Sequence, residues 1–150
     1  MRAALVLFLK ADPGVSAIIG TRLFPFGRTP QDADFPHLTY FQVDGVREGT
    51  LSGPDGRAHP RFQIDCCSLD QLEATTLATA VRNATGGAQG SPVGSNFAKL
   101  HGFKGTMGGV TVQQAEIVDE RDIYDEPEDA SDVGVARVVL DLVLVHEESQ

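Results

Sequence analysis

Arg61-Phe62-Gln63-Ile64-Asp65-Cys66-Cys67, running directly into Ser68-Leu69-Asp70-Gln71-Leu72, is the stretch on which the fold turns. Phe62, Ile64 and Cys66 alternate with Arg61, Gln63 and Asp65, the two-residue period of a strand with one buried and one polar face. The period then changes at once. Ser68 followed three residues later by Gln71 matches a capping box, with Ser68 as N-cap. Leu69, Leu72, Leu77, Ala80, Val81 and Ala84 recur at helical spacing until Gly86-Gly87 stops the pattern. A strand that feeds an amphipathic helix over Ser68–Thr85 without a linker must lay that helix on its own sheet. Leu72, Leu77 and Val81 are therefore expected against Ile64, Leu140 and Leu142.

Upstream, Met1, Leu5, Phe8 and Leu9 keep helical spacing. The run faintly resembles a signal peptide, but Lys10, Asp12 and Pro13 follow at once with no small-residue cleavage site, so an amphipathic first helix is expected. Asp12-Pro13 restarts the chain as N-cap and first helical residue of a short second helix, which Gly20 ends. Phe35-Pro36 is extended and leads into a strand at His37–Val43, rich in β-favouring residues. Residues 44–60 are a long flexible loop or an extended hairpin arm turning near Pro54–Gly56, because Asp55-Gly56 is a hairpin-turn signal.

Downstream, Ala88–Gly109 is glycine-rich with little regular pattern and reads as a second long loop. Val110–Tyr124 is a strand whose alternation breaks at Gln113-Gln114, the mark of a bulge. Asp125–Asp132 is an acidic loop, Val135–His146 a final strand, and the end of the chain polar. The expected fold class is α+β: a mainly antiparallel sheet of about four strands with the main helix and the N-terminal helix packed on one face. One domain is expected over residues 1–150, with long loops at 44–60 and 88–109.

With 41% hydrophobic and 22% charged residues the chain is globular in composition. A net charge of -9 argues against a nucleic-acid-binding surface, which needs clustered Lys and Arg. Cys66 and Cys67 are adjacent, so in a strand they point to opposite faces. Free thiols of a reducing cytoplasm are expected, one facing the core and one outward. No apolar run approaches the length of a membrane span.

Catalytic constellations are hard to find. His37, His59, His101 and His146 show no ligand spacing, and there is no nucleophile elbow. Gly86-Gly87-Ala88-Gln89-Gly90 lacks the Lys-Ser/Thr of a phosphate loop and follows a helix rather than opening one. The carboxylates from Asp119 to Asp132 could gather a hard cation, but they lack EF-hand spacing and read as a solvated acidic edge. No catalytic residue, cofactor or metal ligand is assigned. The residues singled out are interface candidates: Arg47, Glu48, Asp55 and Arg57 on the 44–60 segment, and Asp125, Glu126, Glu128 and Asp129 in the acidic loop.

Several blocks in order resemble a known family. Leu9–Pro25, with Asp12-Pro13-Gly14-Val15 and Gly20-Thr21-Arg22-Leu23-Phe24-Pro25, is similar to the N-terminal signature of the phage tail-terminator (tail-completion) family. Phe35–Tyr40, Arg61–Cys66, Leu77–Ala84, Ile123–Asp125 and Val138–Asp141 resemble its later elements. The resemblance implies a virion structural protein with no catalytic residues. It implies a homo-oligomeric ring, expected as a hexamer, that caps the tail tube at its head-proximal end. The implied partners are other copies of the chain, the tail tube protein and the head–tail connector or stopper protein. DNA would pass through the ring without specific binding, past a wall whose negative charge repels phosphate, and no membrane is involved. Synthesis is expected in the bacterial cytoplasm. The alternatives are a connector or stopper protein of the neck and, further off, a small enzyme or a stand-alone binding domain.

Overall fold

The computed structural model describes residues 1–129 and 132–148. Helices α1 (Arg2–Ala11) and α2 (Pro13–Ile19) open the chain. Strands β1 (Leu23–Pro25), β2 (His37–Thr50) and β3 (Gly53–Ser68) follow, then helix α3 (Gln71–Arg82). Strands β4 (Gly90–Pro92), β5 (Gly105–Met107), β6 (Val110–Asp125) and β7 (Val135–Glu147) complete it.

The expected sheet of about four antiparallel strands is corrected. The strands form one curled sheet of seven in the order β1-β2-β3-β7-β6-β5-β4, and it is mixed, because β1 runs parallel to β2. The three additional strands, β1, β4 and β5, have three residues each. Such lengths are too short for alternation to register in sequence, and tertiary pairing creates them.

Asp12 shows how local chemistry sets the N-terminal corner. As N-cap of α2 its Oδ2 accepts from the Val15 amide at 2.9 Å, with Pro13 occupying the first turn. Its Oδ1 accepts from the Thr85 amide at 2.8 Å, tying this corner to the end of α3. The α3 cap differs from the expected box. Asp70, not Ser68, is the N-cap, accepting from the Leu72 amide at 3.2 Å. The Ser68 hydroxyl accepts from the Asp70 amide and donates to Glu73 at 2.6 Å.

Ala74, Leu77, Ala78 and Val81 form the buried stripe of α3, in one core with Ile64, Leu140 and Leu142. Leu72 does not join them. It lies two positions before Ala74, on the opposite side of the helix, and is 72% exposed. The segment 88–109, expected as a loop with little core, contributes Leu100, Phe103 and Met107, all fully buried. Phe103 packs edge-to-face on Phe8, ring centroids 5.3 Å apart. Gly86 makes that approach possible. Its φ is +74°, and a Cβ there would collide with the Phe8 ring.

Residues 44–60 are the arm, not a flexible loop. β2 and β3 pair antiparallel along their length and turn at Leu51-Ser52, earlier than the expected Pro54–Gly56. The Thr50 hydroxyl stabilises the turn, donating to the Gly53 carbonyl at 3.1 Å and accepting from the Ser52 amide. Pairing between β3 and β7 begins at Arg57↔Glu147, so the tip of the ribbon reaches beyond the rest of the sheet. β6 has its register irregularity at Val112/Gln114, with a second at Ile117/Asp119.

Candidate functional site

The helices and the 88–109 segment cover one face of the sheet; the other stays open. Alternation sorts the residues. Ala58, Phe62, Ile64 and Cys66 of β3 point into the core, and Arg61, Gln63, Asp65 and Cys67 point to the open face. Across the register, carboxylates outnumber arginines on that face: Asp44, Asp65, Glu116, Asp119, Asp125, Asp141 and Glu147 against Arg57, Arg61, Arg121 and Arg137.

Ion pairs lace this face together. Arg137 bonds Asp65 at 2.8 Å and Asp125 at 2.7 Å. The Asp65 side chain is 3% exposed and accepts also from Gln63 at 2.9 Å. Arg121 bridges Asp119 and Asp141 at 2.8 and 2.9 Å. On the helix side, Arg82 holds Glu120 at 2.9 Å. Asp119, Glu120 and Asp125, three of the eight carboxylates that looked like an open acidic edge, are thus paired with arginines, Glu120 and Asp125 with ones from other elements. No group of three or more His, Cys, Asp or Glu among the described residues is placed to share a metal ion.

The structure brings Arg47, Glu48, Asp55 and Arg57 together on the arm. Arg47 grips Glu148 with two bonds, at 2.9 and 3.0 Å, which anchors the ribbon to the end of the chain. Arg57 pairs with Asp55 at 2.7 Å and Glu48 at 3.5 Å, and His59 Nε2 lies 2.9 Å from Glu48. The Arg57 guanidinium holds the Asp55 carboxyl below its ordinary pKa, and Arg47 does the same for Glu148. Leu51 at the tip is fully exposed, and Val43 and Val46 along the ribbon are exposed as well. Asp125, Glu126, Glu128 and Asp129 lie at the opposite end of the sheet, at and after the end of β6. The arm candidates and the acidic-loop candidates therefore lie at opposite ends of the sheet, with Arg47 on the other face of the ribbon from Arg57.

Sequence reading missed a groove of about 400 Å³ on the open face, lined by Phe26, Phe35, His37, Cys67, Val135 and Arg137 among others. Cys67 was expected to face outward and does point to this face, yet it is buried beneath the groove. Both thiols are free. Burial pushes Cys67 up to about 12 and Cys66 well above its ordinary value. His37 stacks against Phe35, centroids 4.8 Å apart, and burial lowers its pKa. The aromatic residues Phe24, Phe26 and Phe35 flanking the polar stretch 27–34 were the available signal, but nothing in their spacing locates the groove.

Residues 3–147 match the model of the family described as tail completion protein gp17. No curated protein matches the chain. Among solved structures, the chain is similar to a chain of the structure described as "Virion of native gene transfer agent (GTA) particle". The TM-score is 0.64 at 18% identity, over 98% of this chain and 94% of that one, a likeness of fold.

Proposed function

Because the chain belongs to the tail completion protein gp17 family, a family of structural tail proteins and not of enzymes, we propose that it closes the head-proximal end of a phage-type tail tube as a homomeric ring, of six copies, and joins the tail to the head. The observation that carries the ring reading is the β2–β3 arm. It extends past β7 with a fully exposed Leu51 at its tip, and it is anchored at its base by Arg47–Glu148. A lone domain gains little from such a ribbon, whereas a contact in which one patch meets a different patch of the next copy uses it. In this reading the arm candidates Arg47, Glu48, Asp55 and Arg57 serve one side of the contact. The residues Asp125, Glu126, Glu128 and Asp129 serve the far side or a neighbouring ring.

The charge of the open sheet face supports its placement toward the DNA channel, where excess carboxylate keeps phosphate from sticking. Specificity for DNA is not required of it. The test is to mix the purified protein with tail tubes and image them by negative stain, in parallel with particles made without the gene. Six-fold caps on tube ends and tails left unjoined in the null are the expected results. Binding to the connector side alone would reassign the protein to the neck, and uncapped tubes with normally joined particles would refute the proposal.

A further inference from the structure

The outer strands of the sheet cover only part of their neighbours. β1 pairs with Leu38–Tyr40 of β2, and β5 with Val110–Val112 of β6. β2 and β6 run in opposite directions, so these caps lie at opposite ends of the sheet. The open length of β2 is at the arm; the open length of β6 is toward the β6–β7 turn. The chain blunts its edges elsewhere, since β1 and β4 have three residues each and end in Pro25 and Pro92.

Antiparallel alternation identifies the backbone groups that face outward. On β6 the Ala115 carbonyl and the Ile117 amide point away from β7, being bonded to the Gly102 amide and to His101 Nδ1. Leu142, opposite Ile117, therefore turns its own groups toward β3, as do Leu140, Val138 and Ala136 in phase with it. Their β6 partners Glu120, Asp122 and Tyr124 are left aiming outward. The same phase carried through β3 makes Arg61 bond to Asp44, which leaves Gly45 and Arg47 of β2 facing outward. None of these five residues has a backbone hydrogen-bond partner on that side among the described residues. Glu120, Asp122 and Tyr124 are exposed, as is Arg47.

We propose that the open edge of β6 in one copy adds, antiparallel, to the open edge of β2 in a second copy, so that the sheet continues from subunit to subunit. Charge selects this pairing. Two β6 edges laid together would set Glu120 and Asp122 against their own copies, a like-charge contact across strands. The β2 edge instead offers Arg47, on the same face of the sheet as Glu120 and Asp122, where it pairs with Glu148 of its own chain. The two open lengths sit at opposite ends of the sheet, so each copy is displaced along the strand direction relative to the last. That offset is the shear by which tilted strands close into a barrel. The closed form rests on the ring proposed above; the edge pairing specifies how its subunits meet.

Hydrogen exchange read by mass spectrometry, on the assembled form in solution or on tail tubes and on the dissociated chain, tests the contact directly. Assembly should slow exchange in both the 44–48 and the 119–125 peptides. Asp122→Pro removes an outward amide that no strand of its own chain uses. It should weaken association about tenfold or more while leaving the melting temperature of the dissociated chain near that of the native protein, and Asp122→Asn should assemble normally. Protection of the β6 peptide alone would mean β6–β6 pairing and overturn the proposal. Rings that form without protection at either edge would overturn it while leaving the ring intact. Failure to form any ring, alone or on tubes, would remove the ring reading and this contact together.

Discussion

Replacing Arg137 by Leu removes the cation from the most buried ion pair on the open face. Asp65 lies 2.8 Å from that guanidinium, with its side chain 3% exposed, and would keep only the Gln63 amide as partner. Breaking a buried pair from one side costs about 3–5 kcal/mol, because the remaining charge is uncompensated. Arg137 is itself 24% exposed and Asp125 half exposed, so water can screen part of the loss. A loss at or just below the bottom of that range, about 2–3 kcal/mol, is expected. For a chain of 150 residues this lowers the melting temperature by roughly 5–10 °C. Asp65→Asn added to Arg137→Leu removes the stranded charge as well, and should recover about half of the loss or more. Urea unfolding of the native protein, both single variants and the double variant gives the cycle. If Arg137→Leu alone costs less than about 0.5 kcal/mol, or if the two substitutions simply add, Asp65 is not held by this pair and the reasoning fails.

Leu77→Asp should destabilise by several kcal/mol, since it buries an unpaired charge in the core. Leu72→Asp, on the exposed side of the same helix, should stay within about 0.5 kcal/mol, and equal losses from the two would contradict the assignment of the helix face. His37, whose pKa burial lowers, favours the neutral ring in the folded state, so its contribution is present above the unfolded value near 6.5 and is lost as pH falls below it. Chemical unfolding at pH 7.5 and pH 5 should therefore show a decrease that His37→Gln reduces, and identical pH dependence in the two proteins would exclude His37 as its source. Native protein at pH 8 should resist thiol labelling, with both cysteines reacting once guanidinium unfolds the chain, because burial disfavours both thiolates; rapid labelling of folded protein would contradict the burial of Cys66 and Cys67.

Long periodic segments were the legible part. The alternation Phe62, Ile64, Cys66 and the stripe through Leu77 and Val81 each follow from a repeat that needs only its own residues, and so do the Asp12-Pro13 cap and the bulge at Gln113. Leu72 shows the limit. It fits an apolar helical spacing as well as Leu77 does, and only the position of the sheet decides which of the two is covered. The candidate residues were similarly half legible. Arg47, Glu48, Asp55 and Arg57 gather on one arm because a hairpin folds neighbouring sequence onto itself. The acidic run from Asp119 onward looked like free charge because the partners of Glu120 and Asp125, Arg82 and Arg137, come from α3 and β7.

The sequence by itself determined where helices α1 to α3, strands β6 and β7 and the inner parts of β2 and β3 lie, because amphipathic period, caps and proline act within a few residues. It also determined, through its ordered blocks, the tail-completion family to which residues 3–147 belong. Only the tertiary structure decided that the sheet has seven strands, that one pair is parallel, and that Leu100, Phe103 and Met107 complete the core. Three-residue strands and irregularly spaced apolar residues carry no period of their own. Their structure is imposed by the partners that pair with or cover them, and those partners are distant in the chain.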